Sequence, residues 1–259
     1  MTRTYAITGA ASGIGLATKR LLESQGHRVI GIDLHDADVN ADLSTPEGRA
    51  GMADAVREAA GGGIDAIVAV AGLALPTPLT VKVNYFGMVA TLEQLRPLLD
   101  DSPAPRAALV ASFSSLQENV PELVQAMESG DEGAAVQVAE QAVADGKGMM
   151  IYASTKRAIA EWMREQSVTT TWAGASIPLN ALGPGIVLTP MTEPLMNTPE
   201  GRAQLDAIVP MPLNGPAPVE PIAKALAWLV SEDNSSMTGQ LVFVDGGADV
   251  MIRGKRVFG

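Results

Sequence analysis

"TYAITGAASGIG" occupies residues 4–15, and its two halves ask for different backbone geometry. Tyr5, Ala6 and Ile7 belong to a short apolar run of the kind that makes a buried strand. Glycines follow at 9, 13 and 15, and "LATKRLLESQG" (16–26) then sets Leu16, Leu21 and Leu22 near helical spacing, with Gly26 as a stop. A strand that passes through a glycine-rich turn straight into a helix begins a βα unit. Gly9 permits the tight turn. Gly13 and Gly15, with Ser12 and Ile14 between and beside them, let a pyrophosphate and the helix approach the backbone closely. Free N–H groups at the helix start then point at phosphate oxygens. Glycine spacing alone is weak support, so the next strand matters more.

That strand, "HRVIGID" (27–33), ends in Asp33, about twenty residues past the turn. A carboxylate there accepts hydrogen bonds from both hydroxyls of an adenosine ribose and repels a 2′-phosphate. No Lys or Arg stands in the turn or at position 34 to neutralise that phosphate. The expected cofactor is NAD(H) in preference to NADP(H).

The alternation continues along the chain. "TPEGRAGMADAVREAA" (45–60) predicts one helix with Thr45 as N-cap and Pro46 at its first position, broken by Gly61–Gly63. Strands are predicted at 64–72, 106–112, 175–185 and 239–247, and helices at about 79–99, 151–168 and 218–232. Near-continuous apolar strands between helices predict an α/β fold, a doubly wound parallel sheet of Rossmann type with helices on both faces. No linker divides it, so residues 1–259 are expected to form a single NAD(P)-binding domain. Residues 116–148 break the rhythm, since a strand and the next helix normally need a short connector. Helical spacing at Leu123 and Met127, and again from Val136 to Val143, predicts an inserted helical pair. It reads as a solvated decoration, or as a lid or subunit contact.

Composition narrows the function. A net charge of −11 argues against a nucleic-acid footprint, which needs clustered Lys and Arg. With no cysteine, thiol catalysis and Cys-ligated metals are excluded. His27 and His35 flank a strand without metal-ligand spacing and read as solvated loop-edge residues; no metal is expected. Neither a secretion signal nor a long apolar span is visible, so the expected location is cytoplasmic.

"YASTK" (152–156) puts a phenol and an ammonium four positions apart. On a helix those positions share a face. An isolated phenol titrates near about 10, and a neighbouring ammonium should lower that value toward a usable general acid/base.

With "TGAASGIG", Asp33, "VNYFG" (83–87) and "YASTK" in this order, the chain resembles the short-chain dehydrogenase/reductase family over nearly all its length. "ADL" (41–43), "AG" (71–72), "NALGPGIVLTPM" (180–191) and "VDGG" (244–247) fit the same pattern. The insert and "NYFG" are most similar to the bacterial 3α-hydroxysteroid dehydrogenase/carbonyl reductase group. The resemblance implies a catalytic tetrad of Asn84, Ser112, Tyr152 and Lys156. It implies that Asp42 and Leu43 flank the adenine, and that Ala71, Gly72, Pro184 and Gly185 border the cofactor. Val187 and Thr189 would hold the nicotinamide carboxamide. Tyr152 would pass the proton, Ser112 would bind the substrate oxygen, Lys156 would also reach the nicotinamide ribose, and the Asn84 amide would hold a water near Lys156. It further implies a homodimer or homotetramer. Two features depart from the family pattern: "AVAG" (69–72) lacks side-chain amides, and "ASFSS" (111–115) offers Ser114 as a second choice beside Ser112.

The segment 187–213 carries Met191, Leu195, Met196, Ile208, Val209 and Met211. They form either an apolar pocket for a hydrophobic ketone or secondary alcohol, steroid-like or alicyclic, or a helix pair packing on itself. The competing function is a non-catalytic NAD(H)-binding sensor on the same fold. A sensor needs no proton relay.

Overall fold

The computed structural model describes residues 2–255. Its strands are β1 (Thr4–Thr8), β2 (Arg28–Asp33), β3 (Val39–Asn40), β4 (Ala66–Ala69), β5 (Arg106–Val110), β6 (Leu179–Pro184) and β7 (Leu241–Val244). They form one seven-stranded sheet in the order β3-β2-β1-β4-β5-β6-β7, and every neighbouring pair is parallel. Parallel neighbours require long crossovers, which helices supply. These are α1 (Gly13–Ser24), α2 (Pro46–Ala50), α3 (Met52–Ala60), α4 (Pro78–Val81), α5 (Met88–Leu95), α6 (Pro121–Glu128), α7 (Glu132–Ala144) and α8 (Met150–Gln166). After β6 come α9 (Glu193–Met196), α10 (Pro199–Ile208) and α11 (Val219–Leu229), and α12 (Ala248–Arg253) follows β7.

Side chains alternate along each strand, so the sheet feeds two cores. Ala6, Ile30, Ile32, Ile67, Ala107 and Leu109 turn to the face closed by α3, α5, α6 and α8. Tyr5, Ile7, Val29, Val68, Ala108 and Val110 turn to the face closed by α1 and α11. Each fully buried Leu or Ile stabilises the fold by about 1.5–3 kcal/mol relative to an exposed one. The strand order reverses beside β1, whose neighbours are β2 and β4. An open parallel sheet leaves its ligand crevice there, beyond the carboxyl ends of the strands.

The fold agrees with the sequence expectation in class, and it differs in detail for local reasons. The helix expected over 45–60 is two, α2 and α3, separated at Gly51; the Thr45 hydroxyl accepts from Gly48 N–H as the predicted cap. The helix expected over 79–99 is continuous only in path. It passes from α4 through a π-helical stretch, Lys82–Gly87, into α5 and ends in a tight turn containing Pro97. The insert is the predicted helical pair. Its second helix, however, buries Ala135, Ala139 and Ala142, while Val143 is 43% exposed. The two-residue β3 was too short for a periodicity, and α12 follows the final strand, where no element was expected. His27 is not simply solvated. Its Nδ1 accepts from Arg3 N–H at 3.2 Å, it packs on the Tyr5 ring, and burial holds its pKa below the usual value. Among the described residues no helix is long and apolar enough to cross a membrane.

Candidate active site

The turn between β1 and α1 can hold only glycine at its crossing points. Gly9 has φ +69°, and a Cβ there would stand 3.0 Å from the backbone of Ala71; at Gly15 it would meet the Gly9 carbonyl at 2.0 Å. At Gly13, φ +51°, the nearest neighbour would be the Thr189 methyl at 3.4 Å. Ser12 caps the helix in an extended conformation, and its side chain makes no capping bond, so the first N–H groups of α1 keep their donor capacity. The resulting cleft is walled by Gly9, Ser12, Gly13, Ile14 and Gly15, by Ala71 and Gly72, by Ser112, Tyr152 and Lys156, and by Pro184, Gly185, Val187 and Thr189. A glycine-lined cradle at a helix N-terminus suits a dinucleotide pyrophosphate, so these residues fit the expected cofactor.

Asp33, Asp42, Leu43 and Asn84 stand outside that wall. Asp33 closes β2 beside the turn: Oδ2 accepts from Ala11 N–H at 2.9 Å and Oδ1 from Leu34 N–H at 2.7 Å. Asp42 Oδ1 accepts from the Ser44 hydroxyl at 2.6 Å and from Ser44 N–H at 2.9 Å, which holds its carboxyl below the ordinary carboxylate range. Leu43, next in the chain, is buried. It packs into the core against Gly87, where a Cβ would come within 2.9 Å of it.

Tyr152 and Lys156 rise together from one face of α8, with Nζ 5.7 Å from the centre of the phenol ring. Their protonation differs from the sequence expectation. Burial pushes the Tyr152 phenol above its usual value, and the Ser112 hydroxyl beside it pulls only part of the way back. Burial lowers Lys156 to about 8. Its Nζ donates to the Val110 carbonyl at 2.9 Å, at the end of β5. Burial, more than the neighbouring ammonium, sets the state of the phenol.

Ser112 is the serine that faces Tyr152. Its Oγ accepts from Ser114 N–H at 3.1 Å, which leaves its own proton free to donate outward. Asn84 is fully buried in the π-helical stretch. Its amide is wholly engaged: Oδ1 accepts from Leu73 N–H at 2.7 Å, and Nδ2 donates to the Leu73 carbonyl at 2.9 Å and to Thr155 Oγ1 at 3.1 Å. The side chain therefore clasps the segment after β4.

A second cavity adjoins the cleft and shares Ser112, Tyr152, Gly185, Met191 and Thr192 with it. Met191, Leu195, Ile208 and Val209 line it as expected. Met196 and Met211 do not. They pack in a small core with Phe113 and Ile186, and Met211 Sδ accepts from Ile186 N–H under the Gly185 turn. Among the described residues no charged side chain lines this cavity.

The family model described as enoyl-(acyl carrier protein) reductase matches residues 9–249. The chain belongs to the short-chain dehydrogenase/reductase family. It is 34% identical to the 3α-hydroxysteroid dehydrogenase/carbonyl reductase of Comamonas testosteroni, over 95% of this chain and 96% of that one. It is 31% identical to the cis-4-hydroxycyclohexanecarboxylate dehydrogenase of Sinomonas cyclohexanicum, over 95% and 96%. Among solved structures, the 3α-hydroxysteroid dehydrogenase from Pseudomonas sp. B-0831 complexed with NADH superposes with a TM-score of 0.89 at 39% identity, covering 97% and 99%. This short-chain dehydrogenase/reductase is thus an oxidoreductase resembling 3α-hydroxysteroid dehydrogenases.

Several residues of the dehydrogenase site carry no local signal. Thr8 Oγ1 accepts from the N–H groups of Val70 and Ala71 at 3.0 and 3.2 Å, which holds the "AVAG" turn without the amides missing from it. Thr192 pins the 187–192 turn by donating to the Val187 carbonyl at 2.6 Å and accepting from Thr189 N–H at 3.1 Å. Leu75, Pro76, Phe113 and Met149 enter the apolar cavity from distant parts of the chain.

Proposed function

We propose that this enzyme interconverts a neutral, hydrophobic secondary alcohol, steroid-like or alicyclic, and its ketone, using NAD(H). The observation that carries the reading is the shared wall: Tyr152 and Ser112 border both the glycine-lined cleft and the uncharged apolar cavity. An anionic substrate would call for a cation in that cavity, and a neutral apolar one does not. A panel of alicyclic and steroid alcohols with NAD, followed by reduced-cofactor absorbance, tests it; turnover confined to carboxylate-bearing or carrier-linked substrates would overturn it.

The residues act as follows. Bound in the cleft, the nicotinamide cofactor supplies hydride transfer. Tyr152, protonated at neutral pH because burial raises it, donates to the carbonyl oxygen in reduction and takes the alcohol proton in oxidation. Ser112 donates to the same oxygen as its charge changes. Lys156, buried and near the end of its charged range, steadies the ribose side of the cofactor and the phenol above it. Replacing Ser112 by Ala is expected to lower kcat by about 10²–10³-fold, as loss of one such donor does. The same change at Ser114, whose N–H serves Ser112, should cost little; steady-state kinetics on both variants separates them.

Cofactor choice rests on Asp33. Asp33→Asn keeps much of the shape of the site and removes the charge that repels a 2′-phosphate. The ratio of kcat/KM for NAD over NADP is expected to fall about tenfold or more, equivalent to roughly 1.4 kcal/mol of lost discrimination. An unchanged ratio would place selection elsewhere.

A further inference from the structure

Between Gly72 and α4 the chain makes one wall of the apolar cavity with Ala74, Leu75 and Pro76, all of them exposed. An exposed segment holds its shape only if its backbone is anchored. Among the described residues, every hydrogen bond made by the backbone of 73–76 comes from two side chains. Asn84 clasps Leu73, as above. Thr80 clasps Leu75 in the same two-sided way: its hydroxyl accepts from Leu75 N–H at 3.2 Å and donates to the Leu75 carbonyl at 2.7 Å. Thr80 is fully buried in α4. Behind it, helix α7 of the insert packs on α4. Beyond α7 the chain returns to the same wall, where a Cβ on Gly148 would stand 3.3 Å from Pro76. Met149, 73% exposed, then completes the cavity rim.

We propose that Thr80 is a positioning residue for substrate selection: its hydroxyl holds Leu75 and Pro76 where they set the width of the apolar cavity, with the inserted helix α7 as the buttress behind this clamp. The inference rests on reading that cavity as the substrate site. It also gives the insert a task. Instead of covering the cavity as a lid, it stiffens one of its walls.

Thr80→Val keeps the shape of the buried side chain and removes both hydrogen bonds, whereas Thr80→Ser keeps the hydroxyl. Two measurements on the full-length protein decide the matter. Exchange of the Leu75 amide, whose N–H bonds the Thr80 hydroxyl, should quicken about fivefold or more in Thr80→Val, the size expected for one lost hydrogen bond, and return in Thr80→Ser. The ratio of kcat/KM for androsterone, a four-ring steroid alcohol, over cyclohexanol should fall by a similar factor of about five, chiefly through KM, and recover in Thr80→Ser. An unchanged ratio overturns the proposal whatever the exchange does, and so does unchanged exchange. If the unaltered protein oxidises neither alcohol, the reaction assigned above fails on its own. The clamp is then judged by exchange together with anilinonaphthalenesulfonate binding, which should weaken in Thr80→Val; equal dye affinity overturns it.

Discussion

Replacing Tyr152 by Phe is expected to lower kcat by about 10²–10⁴-fold, the contribution of a positioned general acid/base. The variant keeps the ring that packs beside Lys156 Nζ and loses only the hydroxyl. Affinity for NADH, measured by fluorescence titration, should therefore change little. Turnover within tenfold of the unaltered enzyme would sink the proton-transfer role. The pH dependence follows from the same phenol. Its pKa lies above the ordinary value because it is buried, so the protonated form needed for ketone reduction persists through neutral pH and is lost only on the alkaline side. Alcohol oxidation needs the deprotonated form and should gain as pH rises.

Lys156→Met should do the opposite to stability and activity: a more stable protein and a poorer enzyme. Lys156 is 3% exposed and its pKa is lowered from 10.5 to about 8 by burial. Between those values the unfolded chain binds more protons at this site than the folded one, so the site's contribution to stability rises with pH. Below about 8 both states carry the charge, and the folded state bears the full cost of a desolvated ammonium. That cost is at most about 3 kcal/mol, offset in part by the bond to the Val110 carbonyl. Methionine fills similar space without the charge. A rise in Tm of roughly 5 °C at pH 7 is expected, shrinking toward pH 10 as the lysine discharges, together with a loss of kcat of about a hundredfold. A variant less stable than the parent at pH 7 would mean that the Val110 bond outweighs desolvation.

These two expectations came from different places. That Tyr152 and Lys156 share a face was readable from their spacing, because one helical turn is a local property. That burial, not the ammonium, governs both protonation states was not readable. Desolvation depends on what α8, the end of β5 and the turn after β6 enclose together, and those segments are far apart in the chain. Asn84 shows the same split. Its place in the helix expected over about 79–99 was readable, and the amide stands there in a π-helical stretch. The partners of that amide, Leu73 and Thr155, could be found only once β4 and α8 were packed beside it.

The alternation of apolar strands with helices, the glycines at 9, 13 and 15 and the carboxylate closing the second strand were determined by the sequence alone. Each expresses a short-range constraint: side-chain period, permitted φ or hydrogen-bonding reach within a turn. The tertiary structure decided which serine meets the phenol, that Leu43, Met196 and Met211 turn inward, and that Pro76 and Met149 meet at one cavity. Such choices depend on competition for buried volume among segments dozens of residues apart, and no local pattern carries that competition.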